Sequence, residues 1–91
     1  MHRVRKRLEI KNRLGMHARA SALLVQTVNQ FAAEVKISKD DNVVNARSIM
    51  GVLTLGAAKG AKIRVETKGE DAQEAMLAIE ELIEDKFRES D

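Results

Sequence analysis

The stretch "RVRKRLEIKNRLGMHARASALLVQTVNQFA", residues 3–32, contains the change of pattern that decides the fold. In residues 3–11 apolar and charged side chains alternate, with Lys6 as the one interruption on the apolar side, and this predicts a strand with one solvated face. In residues 18–32 the apolar side chains recur at helical spacing, which predicts the first helix. A strand that leads into a helix in this way indicates that both contribute to one apolar core.

The middle of the chain predicts a hairpin and a last strand. Residues 33–39 and 42–46 are short runs rich in β-forming residues, separated by two aspartates that tolerate a tight turn. Residues 58–69 repeat the alternation of the first strand and end at a glycine. These three runs bring the number of predicted strands to four.

Two more helices are predicted in the second half of the chain. Residues 48–55 begin with Ser48, a favoured N-cap, and stop before Gly56, which predicts a helix of about two turns. Residues 70–87 have acidic residues in the first turn, where the helix dipole favours them, and carry an apolar stripe. The stripe consists of Ala72, Ala75, Met76, Ile79, Leu82 and Ile83.

The order of these elements is β-α-β-β-α-β-α over residues 1–91, which we interpret as a single domain. Strands with one apolar and one charged face fit an antiparallel sheet whose apolar side is covered by helices. We therefore predict an α+β fold, an open-faced two-layer sandwich in which a four-stranded antiparallel sheet carries three helices on one face.

Composition narrows the class of function. The chain has a net charge of +2 and no cysteine, and no apolar run approaches the roughly 20 residues that cross a bilayer, so we expect a cytoplasmic protein without membrane insertion. With two phenylalanines and neither tyrosine nor tryptophan, it has few rings on which bases could stack. We expect no nucleic-acid partner, and binding of nucleic acid through the basic first strand is the least favoured alternative.

The sequence lacks the residue patterns that nucleotide-binding loops and metal sites require. Neither G-x-x-x-x-G-K-[ST] nor G-x-G-x-x-G occurs, so no glycine-rich loop is available for a nucleotide. The only histidines are His2 and His17, and we expect neither a metal site nor a cofactor. The acidic residues of the last helix lie opposite its apolar stripe, as on an ordinary solvated face.

His17 stands where the first helix begins. The backbone N–H groups of Ala18 and Arg19 have no partner inside the helix and suit a phosphoryl group or another anion. The helix dipole disfavours imidazolium, which helps to keep the ring neutral and nucleophilic, and Arg19 adds a fork of donors for phosphate oxygens. This pattern predicts a phosphoryl acceptor, and the alternative is a solvated histidine and arginine in a surface loop.

Two segments resemble the histidine-containing phosphocarrier (HPr) family of the bacterial phosphoenolpyruvate:sugar phosphotransferase system (PTS). "GMHARAS", residues 15–21, resembles the active-site sequence of that family. "RSIMGVLTLGAAKG", residues 47–60, resembles its second signature, which surrounds a regulatory serine. Together with the order of elements, the resemblance covers essentially the whole chain.

The resemblance implies a phosphoryl carrier rather than an enzyme. His17 would accept a phosphoryl group on Nδ1 from phosphorylated enzyme I and pass it to the A domains of the sugar-specific enzymes II. Arg19 would stabilise the group during transfer. We expect the protein to work as a monomer.

Ser48 matches the serine that an ATP-dependent HPr kinase/phosphorylase modifies in many Gram-positive and some other bacteria. The resemblance therefore implies regulatory phosphorylation at Ser48, with a transcriptional regulator as a further partner. Ser48 is also a plain N-cap, and the two roles are compatible. The alternative function is a purely regulatory HPr-like module that acts through phospho-Ser48 in carbon or nitrogen control.

The second helix carries more apolar residues than packing on a sheet requires. We assign Val52 and Leu55 to the core. The other three, predicted to form an exposed docking patch near His17, are Ile49, Met50 and Leu53. The alternative places all five in the core. Basic residues would steer acidic partners toward the patch, and these are Arg19, Arg47 and Lys59. We also predict that Arg47 is one of the docking residues.

One position departs from the family pattern. Ala20 stands where HPr proteins commonly have a proline after the active-site arginine, and the chain contains no proline. Proline in the first turn of a helix presets φ and needs no N–H partner. We therefore expect a slightly looser helix start, with one more N–H group available to an anion.

Overall fold

The computed structural model describes residues 2–89, so that Met1, Ser90 and Asp91 lie outside the described part. In chain order the elements are β1 (His2–Glu9), α1 (Ala18–Val28), β2 (Glu34–Lys39), β3 (Asn42–Asn45), α2 (Ile49–Thr54), β4 (Lys62–Gly69) and α3 (Ala72–Glu84), followed by a short turn at Lys86–Arg88. This order confirms the predicted arrangement of strands and helices. No helix within residues 2–89 is both long and apolar enough to cross a membrane.

The four strands form one antiparallel sheet in the order β1-β4-β2-β3. Ile63 of β4 lies opposite Leu8 of β1, and Val65 of β4 lies opposite Ile37 of β2. Residues directly opposite one another share a face, so these apolar side chains all lie on the side that the helices cover. The other face carries the charged residues of the strands and is bare, which confirms the predicted open-faced sandwich.

The core lies between the sheet and the helices. All six residues of the predicted stripe in the last helix are buried in α3. The largest fully buried aliphatic side chains in the other elements are Leu24 and Val28 of α1, Val35 and Ile37 of β2, Val52 of α2, and Ile63 and Val65 of β4. Burial of one such side chain contributes about 1.5–3 kcal/mol, so this interface is the main source of stability.

Lys6 interrupts the apolar series of β1 because its ionic partner lies in α3. The Lys6 ammonium nitrogen is 2.8 Å from a carboxylate oxygen of Glu80, and both side chains are partly exposed. β1 is an edge strand, where the long lysine side chain can keep its charge near solvent. The exception to the alternating pattern is therefore an ion pair between the sheet and α3.

α1 ends at Val28, about four residues before the predicted end. Residues 29–31 still make turn-type backbone hydrogen bonds to α1, and distant side chains then bind the backbone of residues 31–33. The Asp71 carboxylate accepts hydrogen bonds from two consecutive N–H groups of this segment, each at 2.8 Å. The Arg47 guanidinium donates to two carbonyl oxygens of the same segment. The predicted helix end was wrong because these long-range bonds replace helical ones.

The last helix is shorter than the predicted range of residues 70–87. α3 spans Ala72–Glu84, and the chain then reverses at Lys86–Arg88, where φ lies between 53° and 57° at all three residues. The side chain of Phe87 in this turn is fully buried. Left-handed backbone is costly for residues with a Cβ atom, so the turn depends on tertiary contacts. The prediction of a continuous helix was wrong for that reason.

Candidate functional site

The loop before α1 is held against the segment that follows α2. Gly15 has a φ of +67°, and a Cβ atom there would lie 2.6 Å from the carbonyl oxygen of Ala57 and 2.9 Å from Cα of Ala58. Only glycine satisfies both this backbone conformation and this close approach. The N–H of Met16 donates to the same Ala57 oxygen at 2.8 Å. The start of α1 is thereby fixed beside the end of α2.

His17 is the N-cap of α1. Its Nδ1 accepts a hydrogen bond from the N–H of Arg19 at 3.2 Å, and its carbonyl oxygen accepts one from the N–H of Ser21 at 2.8 Å. Because Nδ1 is an acceptor, the neutral ring carries its proton on Nε2. The side chain is 28% exposed. His17 therefore presents an unprotonated ring nitrogen at the helix start, in a position that another protein can reach.

The second ring nitrogen faces the C-terminal segment. Nε2 of His17 lies 3.6 Å from a carboxylate oxygen of Glu89, whose side chain is only 5% exposed. That distance exceeds a direct hydrogen bond, so the contact is electrostatic. Within residues 2–89 neither Nε2 nor the buried Oδ1 of Asn12 has a hydrogen-bond partner. The same residues contain no group of three or more histidine, aspartate or glutamate side chains that could hold a metal ion.

Glu89 is a site residue that the sequence pattern did not reveal. Its carboxylate accepts hydrogen bonds from the side-chain amide of Asn12 at 2.9 Å and from the N–H of Leu14 at 3.2 Å. The Asn12 amide, followed by the backbone N–H groups of Leu14 and Arg13, holds the pKa of Glu89 below its ordinary value. Because 77 positions separate Asn12 from Glu89, no local signal in the sequence could have identified the contact.

Arg19 contacts two parts of the site with different groups. Its backbone N–H reaches Nδ1 of His17, whereas its guanidinium donates to the carbonyl oxygens of Phe87 at 3.1 Å and Arg88 at 3.2 Å. These two bonds hold the left-handed turn at Lys86–Arg88 against α1. In this arrangement the guanidinium is occupied by the two carbonyl oxygens, and its predicted role with a phosphoryl group stays a prediction.

Ser48 is the N-cap of α2. Its Oγ accepts a hydrogen bond from the N–H of Gly51 at 3.0 Å, and the residue is exposed. The structure thus contains the cap that the sequence indicates, built on an accessible hydroxyl group. Phosphorylation of that hydroxyl stays a prediction.

The apolar residues of α2 and its end divide between core and surface. Val52 is fully buried and Leu55 is nearly so, whereas Ile49 is 41% exposed and Met50 is 72% exposed. Leu53 is partly buried. The alternative in which all five residues belong to the core is therefore wrong. We call Ile49, Met50 and Leu53 the apolar patch, and its use in docking stays a prediction.

Arg47 joins the start of α2 to the segment that follows α1. Its guanidinium donates to the side-chain oxygen of Asn29 at 2.8 Å and to the carbonyl oxygens of Phe31 at 2.7 Å and Ala33 at 2.9 Å. These bonds give Arg47 a structural role, whereas the sequence predicted only a role in docking and steering. The docking role stays a prediction, as does steering by the exposed Lys59.

Comparison with known protein sequences identifies the family. A family model described as the phosphorylation site of the PTS HPr component matches residues 4–85. The phosphocarrier protein HPr of Neisseria meningitidis serogroup B is 50% identical over 84 residues, which are 92% of this chain and 94% of that protein. The HPr-like protein Crh of Halalkalibacterium halodurans is 46% identical over 81 residues, which are 89% of this chain and 96% of that protein.

Solved structures share the fold. The crystal structure of HPr-C-His from Thermoanaerobacter tengcongensis has a TM-score of 0.89 at 43% identity and covers 99% of each chain. The crystal structure of an HPr dimer from the same organism has a TM-score of 0.77 at 45% identity and covers 90% of this chain and 94% of that one. The family match over most of the sequence, the half-identical relative and the common fold show that this chain belongs to the HPr family of PTS phosphocarrier proteins.

Proposed function

We propose that this PTS phosphocarrier carries the phosphoryl group on Nδ1 of His17, accepting it from phosphorylated enzyme I and passing it to the A domains of enzymes II. The single observation that carries the assignment is the N-cap geometry of His17. Nδ1 accepts a hydrogen bond and so is unprotonated, and the ring is partly exposed at the start of α1. An unprotonated imidazole nitrogen at a helix N-terminus combines a nucleophile with a site for the incoming anion.

The transfer step needs no proton movement within the site. A bond forms between Nδ1 and phosphorus while the bond from phosphorus to its donor atom on enzyme I breaks, and the donor keeps the electron pair. The proton on Nε2 stays on the ring. Positive charge that develops on the ring during this step lies beside the Glu89 carboxylate, and an opposite charge at that distance stabilises it.

The start of α1 would hold the transferred group. Once Nδ1 is bonded to phosphorus it no longer accepts the N–H of Arg19, so this N–H and that of Ala18 become available to phosphoryl oxygens. The Arg19 guanidinium would supply two more donors after leaving the carbonyl oxygens of Phe87 and Arg88. We therefore expect Arg19 to exchange partners between the free and the phosphorylated protein.

Phosphorylation of Ser48 by an HPr kinase/phosphorylase would regulate the carrier. The phosphate would add about −1.5 to −2 charges at the N-terminus of α2. Because helix N–H groups favour an anion there, we expect α2 to stay folded. The new charge would lie next to Ile49 and Met50 of the apolar patch, where it would repel acidic partners that Arg19, Arg47 and Lys59 otherwise attract.

Incubation with phosphoenolpyruvate and enzyme I tests the assignment to His17. We expect an acid-labile phosphate on the wild-type protein and none on a His17→Ala variant. A His2→Ala variant is the matched control, because it removes the only other histidine, and it should label like the wild type. Acid-stable label, or label retained after His17→Ala, would contradict the assignment.

A purely regulatory role is the second candidate, and the similarity to a Crh protein favours its consideration. In that case an HPr kinase with ATP labels Ser48 and changes binding to a transcriptional regulator, whereas enzyme I transfers nothing to His17. Labelling with each donor separately, with Ser48→Ala as the control, distinguishes the two functions. Transfer from enzyme I to His17 would exclude the purely regulatory role.

We further propose that the protein works as a monomer in the cytoplasm. A single chain brings His17, Arg19 and Glu89 together, which supports a site formed by one copy. The lack of cysteine fits a reducing compartment. Analytical ultracentrifugation over a range of concentrations should give the mass of one chain, and a stable dimer would contradict the proposal.

A further inference from the structure

The bare face of the sheet carries more positive charge than its own carboxylates neutralise. The register of β1, β4 and β2 places seven lysine and arginine side chains on this face against three glutamates. The net charge of the whole chain is only +2, so the positive charge is concentrated on this side of the molecule. Such an excess attracts anions to one face.

The three glutamates already have cationic neighbours. Glu66 pairs with Arg5 and lies 3.8 Å from the guanidinium of Arg3. The hydrogen bond from Arg5 is the main reason why the pKa of Glu66 lies below its ordinary value. The other two lie directly opposite lysines in the register, as the pairs Glu9–Lys62 and Glu34–Lys68. Because each glutamate already has its own cationic neighbour, none of the three neutralises the positive charge at the centre of the face.

Arg7 and Arg64 remain, and we call them the sheet cluster, whereas Lys36 lies directly opposite Glu66 and helps to lower the pKa of that carboxyl group. Arg7 lies directly opposite Arg64 in the pairing of β1 with β4, and like charges in that position destabilise a sheet. Arg64 also lies opposite Ser38 of β2. Within residues 2–89 the side chains of the sheet cluster make no ion pair and no hydrogen bond. Their donors are free for a ligand.

Two adjoining hollows open onto the sheet cluster. The larger has a volume of about 400 Å³, and its lining includes both cluster residues, Ser38, the exposed Val43, and Lys36 with the Glu66 carboxylate opposite it. The smaller, of about 120 Å³, shares Arg7, Ser38 and Arg64 with it. Its rim also contains Asp40, an exposed carboxylate 3.7 Å from the ammonium group of Lys39. The larger volume is within the range of small-molecule sites.

We propose that the sheet cluster binds the phosphate group of a small phosphorylated ligand between Arg7 and Arg64, with the uncharged part of the ligand along Val43. Guanidinium groups present paired donors that match phosphate oxygens, and the hydroxyl of Ser38 adds a further donor. A bound dianion also removes the repulsion between the two arginines. The lack of tyrosine and tryptophan favours a small ligand over single-stranded nucleic acid.

This site is separate from the phosphoryl-transfer site. His17 begins α1 in the helical layer, whereas the sheet cluster lies on the face of the sheet that no helix covers. A ligand on the sheet cluster therefore leaves His17 accessible. The proposal stands or fails independently of transfer from enzyme I, and variants of the sheet cluster should still be phosphorylated on His17.

Titration of the ¹⁵N-labelled protein at constant ionic strength tests the proposal, with inorganic phosphate and glycerol 3-phosphate as probes and glycerol as the uncharged control. We expect both phosphates to give saturable amide shifts around Arg7, Ser38 and Arg64, and glycerol to give none. In an Arg7→Gln/Arg64→Gln double variant the dissociation constants should rise by about tenfold or more. The matched control is Arg3→Gln, which removes a charge from the same face but outside both hollows. It should change the dissociation constants by less than about twofold.

Melting curves show whether the double variant loses binding only because it is less stable than the wild type. The double variant removes two like charges that face each other, so we expect it to unfold at a temperature no lower than that of the wild type. Equal weakening in the double variant and in Arg3→Gln would reveal only general attraction to positive charge and would overturn the proposal. Tighter binding of a short oligonucleotide or of polyglutamate than of glycerol 3-phosphate would also overturn it, because the face would then belong to a macromolecular partner.

Discussion

Glu89 holds the loop in front of His17 from the far end of the chain. Its carboxylate accepts hydrogen bonds from Asn12 and Leu14 and lies beside Nε2 of His17. These contacts lie on the Nε2 side of the His17 ring, so Nδ1 is the nitrogen that faces the start of α1. We infer that Glu89 positions the loop and, through its charge, also acts on the His17 ring beside it, but does not contact the phosphoryl group itself.

A Glu89→Gln variant tests this role through the pH dependence of stability. The pKa of Glu89 lies below its ordinary value of 4.5, so the carboxylate contributes its full stability above that pH and loses it as the pH falls through the lowered pKa. We expect the wild type to melt at a higher temperature than the variant at neutral pH, and the difference to disappear in acid. Thermal unfolding followed at a series of pH values measures this, and a difference that does not change with pH would contradict it.

At the scale of elements, α1 starts where it does because the loop and the cap fix its first turn together. Gly15 allows the loop to touch the segment after α2, and His17 then supplies the cap. Ala20 completes the turn and is fully buried. The position of Nδ1 of His17 therefore depends on backbone geometry two residues before it.

Gly15→Ala should be strongly destabilising. The added Cβ atom would meet backbone atoms of Ala57 and Ala58 at less than 3 Å, in addition to the cost of φ +67°. Gly56→Ala is the matched control, since Gly56 has a φ of +58° and no atom within 4 Å of the added Cβ. We expect a loss of about 1–2 kcal/mol for Gly56→Ala and of about 3 kcal/mol or more for Gly15→Ala in denaturant unfolding. Equal losses would mean that the close approach has no energetic role.

Ala20→Pro should be mildly stabilising. The cap hydrogen bond of α1 uses the N–H of Arg19, so the N–H of Ala20 is not needed for capping. Proline in the first turn restricts the unfolded chain, and we expect the free energy of unfolding to rise by about 0.4–1 kcal/mol. Transfer of phosphate from enzyme I to the variant should continue. A clear loss of stability in denaturant unfolding would show that the N–H of Ala20, or the space around it, is required.

The strands and the stripe of α3 could be predicted because their signal lies among neighbouring residues. The exceptions depend on partners that are distant in sequence. Lys6 pairs with Glu80, and the segment after α1 leaves the helix because Asp71 and Arg47 bind its backbone. The same explanation applies to the site, where His17 and Ser48 were recognisable from local motifs and Glu89 was not.

At the scale of the whole molecule, the two layers have different chemistry. The helical layer carries His17, Ser48 and the apolar patch, where the family pattern expects protein partners. The bare face of the sheet carries an excess of positive charge around Arg7 and Arg64. Contacts on one layer therefore need not compete with contacts on the other.

Arg7→Glu should stabilise the protein, because it turns a like-charged pair with Arg64 into an opposite-charged one. We expect the free energy of unfolding to rise by about 0.2–1 kcal/mol at low salt, and the gain to shrink as salt is added. The matched control is Arg5→Glu, which breaks the ion pair with Glu66 and should be destabilising. The two variants should shift the midpoint of urea unfolding in opposite directions, and shifts of the same sign would contradict the assigned register of charges.

Phosphorylation of Nδ1 of His17 is the central claim, and nuclear magnetic resonance tests it most directly. Protein labelled with ¹⁵N in its histidine rings is phosphorylated by enzyme I and phosphoenolpyruvate, and the coupling between phosphorus and ring nitrogen is measured. We expect the coupling at Nδ1 of His17, with a proton on Nε2. A coupling at Nε2 of His17, or at either ring nitrogen of His2, would contradict the claim.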